Sequence, residues 1–171
     1  RIMKLILLNG PCGVGKSTIS ARLHADIPDS VLIDVDELRR SVPNYRELRR
    51  ESLPLSYKMT TDAIVSHLKN GETVIVDKAI SFADTLDSLV EAGKEHGADV
   101  REIILFAQRE AVQRRADERG YTLGGLLTRE RVGELWEQLD GLRKDRPQAI
   151  VIDTEGLSVE ETYKKVKAAI G

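Results

Sequence analysis

Residues 5–18 read Leu5-Ile6-Leu7-Leu8-Asn9-Gly10-Pro11-Cys12-Gly13-Val14-Gly15-Lys16-Ser17-Thr18. The apolar run at the start predicts a strand buried on both faces, as in a parallel sheet. The run ends in Gly-x-x-x-x-Gly-Lys-Ser, and a helical pattern follows at once, with Ile19, Leu23 and Ile27 in step. A strand, a glycine loop and a helix in this order predict a βα unit of an α/β fold.

The glycine loop has the sequence of the phosphate-binding P-loop, or Walker A motif. Glycines allow the backbone to turn its N–H groups inward, and the helix N-terminus adds its positive dipole end. Lys16 is placed to meet the β- and γ-phosphates, and the Ser17 hydroxyl can ligate Mg²⁺. The predicted cofactor-binding residues are Gly10, Pro11, Cys12, Gly13, Val14, Gly15, Lys16, Ser17 and Thr18. The stretch therefore predicts binding of a nucleoside triphosphate with Mg²⁺.

Composition narrows the class of protein. The 171 residues are 41% hydrophobic and 32% charged, which is typical of a soluble globular domain. A net charge of −2 and an aromatic content of 4% argue against a nucleic-acid partner. No apolar run approaches the ~20 residues that span a bilayer, so no membrane partner is expected. Cys12 is the single cysteine, which excludes an intrachain disulfide and favours the cytoplasm.

Four more apolar runs alternate with helical patterns along the chain. They cover residues 31–36, 73–77, 100–106 and 148–152. Alternating strands and helices predict a five-stranded parallel sheet with helices on both faces. No linker or repeat divides the sequence, so we expect residues 1–171 to form a single domain.

Aspartates stand at the ends of two of these strands. Asp77 follows Thr-Val-Ile-Val in the manner of a Walker B aspartate and is predicted to support Mg²⁺ through water. Asp34 and Asp36 point the same way if the second strand persists through both. One could then support the metal ion while the other meets an acceptor hydroxyl. Alternatively, Asp36 is the N-cap of a short helix that follows.

The block Leu32-Ile33-Asp34-Val35-Asp36-Glu37-Leu38-Arg39-Arg40-Ser41-Val42-Pro43 resembles the chloramphenicol phosphotransferase and zeta-toxin branch of the small P-loop kinases. Gluconate and shikimate kinases are similar in layout. The resemblance implies a P-loop NTPase fold like that of nucleoside-monophosphate kinases, with ATP as donor. It implies that Asp36 is the catalytic base and that Asp34 matches the first aspartate of the Asp-x-Asp arrangement in shikimate kinases. Arg39 matches an arginine placed beside the substrate or the γ-phosphate.

Two helical regions are expected to cover the site. Residues 37–69 are the predicted acceptor-site helices, whose clustered arginines indicate either an anionic acceptor or a solvent-facing helix. Residues 109–119 resemble the lid helix of these kinases, within a lid of about residues 109–128. Arg115 and Arg119 share one face of that helix and are predicted to stabilise the transferred phosphoryl group, with Arg114 as the rival of Arg115. A solvated charged helix is the alternative.

The resulting hypothesis is an ATP-dependent phosphotransferase acting on a hydroxyl of a small antibiotic, sugar or nucleoside-type molecule. The predicted catalytic residues are Lys16, Asp36, Arg115 and Arg119. The predicted substrate-binding residues are Asp34, Asp36 and Arg39, and the predicted metal ligands are Ser17, Asp34 and Asp77. A regulatory ATPase or nucleotide switch without an acceptor is the alternative, and a polynucleotide 5′-hydroxyl kinase is the third hypothesis. The sequence does not indicate an oligomeric state.

Overall fold

The structure is a computed structural model that describes residues 2–121 and 127–171. In these ranges the chain forms five strands, all parallel, in the order β2-β3-β1-β4-β5. The strands are β1 (Lys4–Asn9), β2 (Ser30–Asp34), β3 (Thr73–Asp77), β4 (Asp99–Phe106) and β5 (Ile150–Asp153). The predicted five-stranded parallel α/β sheet is therefore confirmed.

Seven helices connect or follow these strands. They are α1 (Lys16–Asp26), α2 (Val35–Arg40), α3 (Arg49–Lys69), α4 (Ala83–Glu95), α5 (Arg109–Arg119), α6 (Arg129–Lys144) and α7 (Val159–Ile170). The predicted acceptor-site helices correspond to α2 and α3. The predicted lid, about residues 109–128, contains α5 and ends just before α6, and residues 122–126 of it lie outside the described residues.

The core consists of two apolar layers, one on each face of the sheet. One layer includes Ile19 and Leu23 of α1, packed with Val166 of α7. The other includes Ile64 of α3 and Leu86 of α4. The central strand β1 serves both layers because successive side chains of a strand point to opposite faces. The P-loop that follows β1 is thus attached to the most buried part of the molecule.

One element boundary differs from the expectation. The second strand ends at Asp34 rather than Asp36, because the Asp34 side chain caps α2 and starts the helix there. The longer acceptor-site helix begins at Arg49 and continues through Pro54 without ending. Pro54 is the sixth residue of α3, so its missing N–H removes one helical hydrogen bond without ending the helix.

No helix within the described ranges combines the length and the apolar character that crossing a membrane requires.

Candidate active site

The P-loop joins β1 to α1 at the carboxyl edge of the sheet. Gly10, Gly13 and Gly15 have positive φ values of 147°, 83° and 98°. A Cβ on Gly10 would lie 2.3 Å from the carbonyl oxygen of Leu105, so the loop approaches β4 more closely than any side chain permits. The glycines therefore give the loop its shape and hold it against the sheet.

A cavity opens in front of this loop, and we call it the P-loop cavity. From the P-loop its wall includes Cys12, Gly13, Gly15, Lys16 and Ser17. From elsewhere in the chain it includes Asp34, Asp36, Asp77, Lys78 and Arg119. Four predicted cofactor-binding residues shape the loop without lining the cavity: Gly10, Pro11, Val14 and Thr18.

Lys16 is the first residue of α1, directly after the N-cap Gly15. Its Nζ donates a hydrogen bond to the carbonyl oxygen of Pro11 at 3.1 Å. Burial lowers the pKa of Lys16, and the nearby Cys12 and Asp77 oppose this shift. A buried ammonium at a helix N-terminus is suited to bind an anion, since both the side-chain charge and the helix dipole attract it.

Asp34 and Asp77 lie side by side, because they are paired in register at the ends of β2 and β3. The hydroxyl of Ser20 donates to Asp77 Oδ2 at 2.8 Å. Burial raises the pKa of Asp77, Lys16 opposes the shift, and the charges of Asp34 and Asp36 raise it further. Three carboxylates, those of Asp34, Asp36 and Asp77, therefore lie close together at this edge.

The residues present fit the Mg²⁺ ion that the P-loop implies. Ser17, Asp34 and Asp77 line the same cavity. One oxygen of each carboxylate is engaged, by α2 amides for Asp34 and by Ser20 for Asp77, which leaves the second oxygen of each for a hydrated ion. Residues 2–121 and 127–171 hold no group of three or more His, Cys, Asp or Glu side chains arranged to bind a metal. The arrangement suits an ion bound by Ser17 and phosphate oxygens, with the aspartates acting through water.

Asp34, and not Asp36, is the N-cap of α2. Its Oδ1 accepts hydrogen bonds from the backbone N of Asp36 at 3.0 Å and of Glu37 at 3.2 Å. The expectation that both carboxylates project from one continuous strand is therefore wrong, because the cap ends the strand between them. Asp36 belongs to the first turn of α2, and its side chain is left for another role.

A second cavity adjoins the first, and we call it the α3 cavity. Its wall includes Asp36, Arg39, Arg40, Tyr45, Leu53 and Phe82. Asp36, Lys78 and Cys12 line both cavities, so the two meet at these side chains. Asp36 thus lies at the boundary between the two cavities.

The arginines of residues 37–51 divide into two sets. Arg39 and Arg40 line the α3 cavity, whereas Arg46, Arg49 and Arg50 are exposed outside it. Arg39 donates from Nε to the hydroxyl of Ser52 at 2.9 Å and from Nη2 to the carbonyl oxygen of Arg49 at 2.7 Å. Burial lowers the pKa of Arg39, while the charge of Asp36 opposes the shift.

The sequence did not predict that Lys78, Tyr57 and Arg131 would line these cavities. Lys78 pairs with Asp36, while Tyr57 and Arg131 line the α3 cavity. Burial raises the pKa of Tyr57, which keeps its phenol protonated. Lys78 follows the predicted Walker B aspartate directly, which is the only local signal among the three. Tyr57 and Arg131 come from α3 and α6, and only the tertiary packing brings them to the cavity.

The arginines of α5 occupy different sides of the helix. Arg115 donates from Nη1 to the carbonyl oxygen of Gly13 at 3.3 Å, and Arg119 lines the P-loop cavity. Arg114 lies on the outer side of α5 with Glu110 and Gln113. The geometry thus favours Arg115 over Arg114 as the lid arginine near the phosphates.

The chain was compared with known proteins by sequence family and by structure. The AAA domain family matches residues 5–142. A sequence comparison with curated proteins gives no match. The tunicamycin resistance protein of Deinococcus radiodurans has a similar structure, with a TM-score of 0.70 and 22% identity, over 98% of this chain and 96% of that one.

Two further structures are similar. A gluconokinase from Sinorhizobium meliloti 1021 has a TM-score of 0.70 and 17% identity, over 99% of this chain and 95% of that one. A chain of the Pnkp1/Rnl/Hen1 RNA repair complex has a TM-score of 0.68 and 23% identity, over 87% of this chain and 48% of that chain. At these identities the likeness establishes the fold, which is that of the P-loop kinases.

Proposed function

Since this chain belongs to the AAA domain family, we propose that it is a kinase that transfers the γ-phosphoryl group of ATP to a hydroxyl group of a small molecule. The observation that carries the proposal is Asp36, whose side chain lies where the P-loop cavity meets the α3 cavity. A nucleotide switch needs no carboxylate facing a second cavity. A phosphotransferase needs one there, to orient and deprotonate the acceptor.

The donor side of the reaction rests on the P-loop. Lys16 and the inward N–H groups of the loop hold the β- and γ-phosphates. Ser17 would hold Mg²⁺, and Asp34 and Asp77 would support the ion through water. When bound, the ion neutralises charge on the phosphates.

The transfer step takes place between the two cavities. Asp36 accepts the proton of the acceptor hydroxyl, while the oxygen of that hydroxyl forms a bond to the γ-phosphorus. The bond from that phosphorus to the β–γ bridging oxygen breaks, and ADP leaves with the electron pair. Arg115 and Arg119 of α5 stabilise the negative charge on the group in transfer.

The lining of the α3 cavity bears on the acceptor. Arg39 and Arg40 supply positive charge, whereas Tyr45, Leu53 and Phe82 supply apolar and aromatic surface. Guanidinium groups suit phosphate and carboxylate, and rings pack on aromatic side chains. These features favour an acceptor that carries an anionic group and an apolar or ring-shaped body.

The proposal is tested by measuring ADP formation from ATP and Mg²⁺ with a coupled assay. The acceptor panel should contain matched pairs that differ only in an anionic group, such as sugars with sugar acids and nucleosides with nucleoside monophosphates, together with antibiotics that bear hydroxyl groups. We expect ADP formation to depend on at least one acceptor and labelled γ-phosphate to appear in the product. ATP turnover that no acceptor changes would favour the regulatory ATPase instead.

A second acceptor class enters the same panel because of the structural likeness to the RNA repair complex. A 5′-hydroxyl end of RNA offers the same reacting group as a small alcohol, and its first phosphodiester is an anion near that hydroxyl. A short oligonucleotide with a 5′-hydroxyl should be compared with its nucleoside. Transfer to the oligonucleotide alone would replace the small molecule by a polynucleotide as the acceptor.

A further inference from the structure

Lys78 is a cation of the site that the sequence motifs do not include. It follows Asp77 at the end of β3, and its backbone N donates to the carbonyl oxygen of Leu8 at 3.4 Å. The side chain is 12% exposed, and its Nζ lies 3.2 Å from Asp36 Oδ1. Both ends of this lysine are therefore fixed, one to the sheet edge and the other to the proposed catalytic base.

The position of Lys78 matters because the side chain lines both the P-loop cavity and the α3 cavity. Among the described residues that line both, it is the one with a positive charge. Lys16 enters the same region from the P-loop side. Two ammonium groups therefore face the boundary that a phosphoryl group crosses when it passes from donor to acceptor.

The ammonium groups of Lys16 and Lys78 line the same cavity, and together they attract an anion there. Asp36 contacts the Lys78 ammonium with Oδ1 at 3.2 Å. An ammonium has three donors, so two donors of Lys78 remain available for phosphoryl oxygens.

A purely structural role explains the lysine poorly. Asp36 is 32% exposed, and ion pairs with solvent access contribute about 0–1 kcal/mol to stability. Burying the ammonium requires removing its hydration, which offsets much of that contribution. The pair lies at a cavity boundary rather than between packed elements, which indicates a role toward a ligand.

We infer that Lys78 is a catalytic residue that bridges the Asp36 carboxylate and the γ-phosphoryl group during transfer. The inference rests on the proposed function and adds a residue to it. The acceptor proton moves to Asp36 as the new P–O bond forms and the bond to ADP breaks, and Lys78 takes no part in the proton transfer. Its contact strengthens as the charge of the phosphoryl group approaches the acceptor side.

The test uses ADP with Mg²⁺ and aluminium fluoride, a probe that imitates the phosphoryl group in transfer and needs no known acceptor. Affinity for ADP alone and for ADP with aluminium fluoride is measured by calorimetry on the full chain. We expect the wild-type chain to bind the fluoride complex more tightly than ADP alone. Lys78→Met should lose about 10- to 100-fold in the affinity for the fluoride complex, as expected for a lost charge-assisted hydrogen bond.

In Lys78→Met the affinity for ADP alone should stay within about twofold, because the lysine faces the transferred group and not the ADP phosphates. Lys78→Arg should keep most of the additional affinity. Lys58→Met is the matched control, since Lys58 is exposed and pairs with Asp62 on α3. Circular dichroism should show that each variant is folded, and Lys78→Gln, which also removes the charge, takes the place of Lys78→Met if that variant does not fold.

The inference would be overturned if aluminium fluoride raised the affinity for ADP by the same factor in Lys78→Met as in wild type. A wild-type chain that gains nothing from the fluoride would also overturn it, as would a Lys78→Arg variant that loses as much as Lys78→Met. Failure of the proposed function gives a different result. In that case the additional affinity still depends on Lys78, but no acceptor in the panel raises ADP formation.

Discussion

Asp34 and Asp36 are two residues apart, yet the structure gives them different surroundings. One carboxylate oxygen of Asp34 accepts hydrogen bonds from the backbone amides of α2, and Asp34 is paired with Asp77 in the sheet. Asp36 lies in the first turn of α2, pairs with Lys78 and lines the α3 cavity. In the proposed mechanism Asp36 therefore does the acid–base work, while Asp34 and Asp77 lie on the side of the donor phosphates.

Substitution of Asp36 tests this separation of roles. Asp36→Asn should lower kcat by about 10²- to 10⁴-fold, because the amide cannot take the acceptor proton. The affinity for ATP should change by less than about twofold, since the P-loop is untouched. Steady-state kinetics and nucleotide titration measure the two effects. Asp62→Asn, at an exposed carboxylate of α3, is the control, and normal turnover by Asp36→Asn would remove Asp36 from the role of base.

Gly10 determines how closely the P-loop approaches the sheet. Its φ is 147°, and a Cβ would meet the carbonyl oxygen of Leu105 at 2.3 Å. Gly10→Ala should therefore reduce the free energy of unfolding by about 2–4 kcal/mol, through strain and displacement of the loop. Gly141→Ala is the control because that glycine lies in α6 with open space around it. It should raise stability by up to about 1 kcal/mol, and denaturant unfolding of both variants checks the contrast.

At the scale of elements, α5 packs against the P-loop. A Cβ on Gly13 would lie 3.2 Å from the carbonyl oxygen of Val112 and 3.3 Å from Cβ of Arg115. The helix therefore packs directly on the loop, and its inner and outer faces have different surroundings. Adjacent residues of a helix are about 100° apart around its axis, which separates Arg114 from Arg115.

The two faces of α5 predict opposite results for neighbouring arginines. Arg115→Ala should lower kcat by about tenfold or more, because a donor near the phosphates is lost. Arg114→Ala should change kcat by less than about twofold, since that side chain lies on the outer face. The same acceptor assay measures both. Equal losses in the two variants would contradict the assignment of the inner face.

The elements could be predicted from the sequence wherever one local signal determines them. The apolar runs that precede Asn9 and Asp77 gave correct strands because both are buried in the centre of the sheet. The end of β2 was misplaced since Val35 continues an apolar pattern, and only the hydrogen bonds of Asp34 show that the helix has begun. The P-loop is a local motif. In contrast, the pairing of Lys78 with Asp36 joins the residue after β3 to the first turn of α2, so no sequence pattern predicts it.

At the scale of the molecule, the strand order explains why the site lies where it does. β1 is central, with β3 on one side and β4 on the other. The P-loop therefore emerges between Asp77 at the end of β3 and the carboxyl end of β4, while β2 brings Asp34 and the start of α2 to the same edge. Chain segments far apart in sequence meet at one edge because all the strands point the same way.

A buried ion pair helps to hold the sheet and the helices together behind this edge. Arg146, between α6 and β5, donates from Nε and Nη2 to Glu102 Oε1 on β4 at 2.9 and 2.6 Å, and its Nη2 also meets Asp87 Oδ1 of α4 at 2.9 Å. Both members of the pair are buried. Within the described ranges, Glu102 Oε2 is a buried oxygen with no hydrogen-bond partner. Arg146 is thus the cation that neutralises the buried carboxylate of Glu102.

Removing only one member of this pair should be far more harmful than removing both. Arg146→Leu leaves the Glu102 carboxylate buried without a cation, which should reduce the free energy of unfolding by about 3–5 kcal/mol. In the double variant Glu102→Leu/Arg146→Leu, apolar groups of similar size replace both charges, so most of that loss should be recovered. Denaturant unfolding of the two variants and of wild type measures the difference. A double variant as unstable as Arg146→Leu would mean that the guanidinium stabilises the frame mainly through Asp87 and α4, and not by neutralising Glu102.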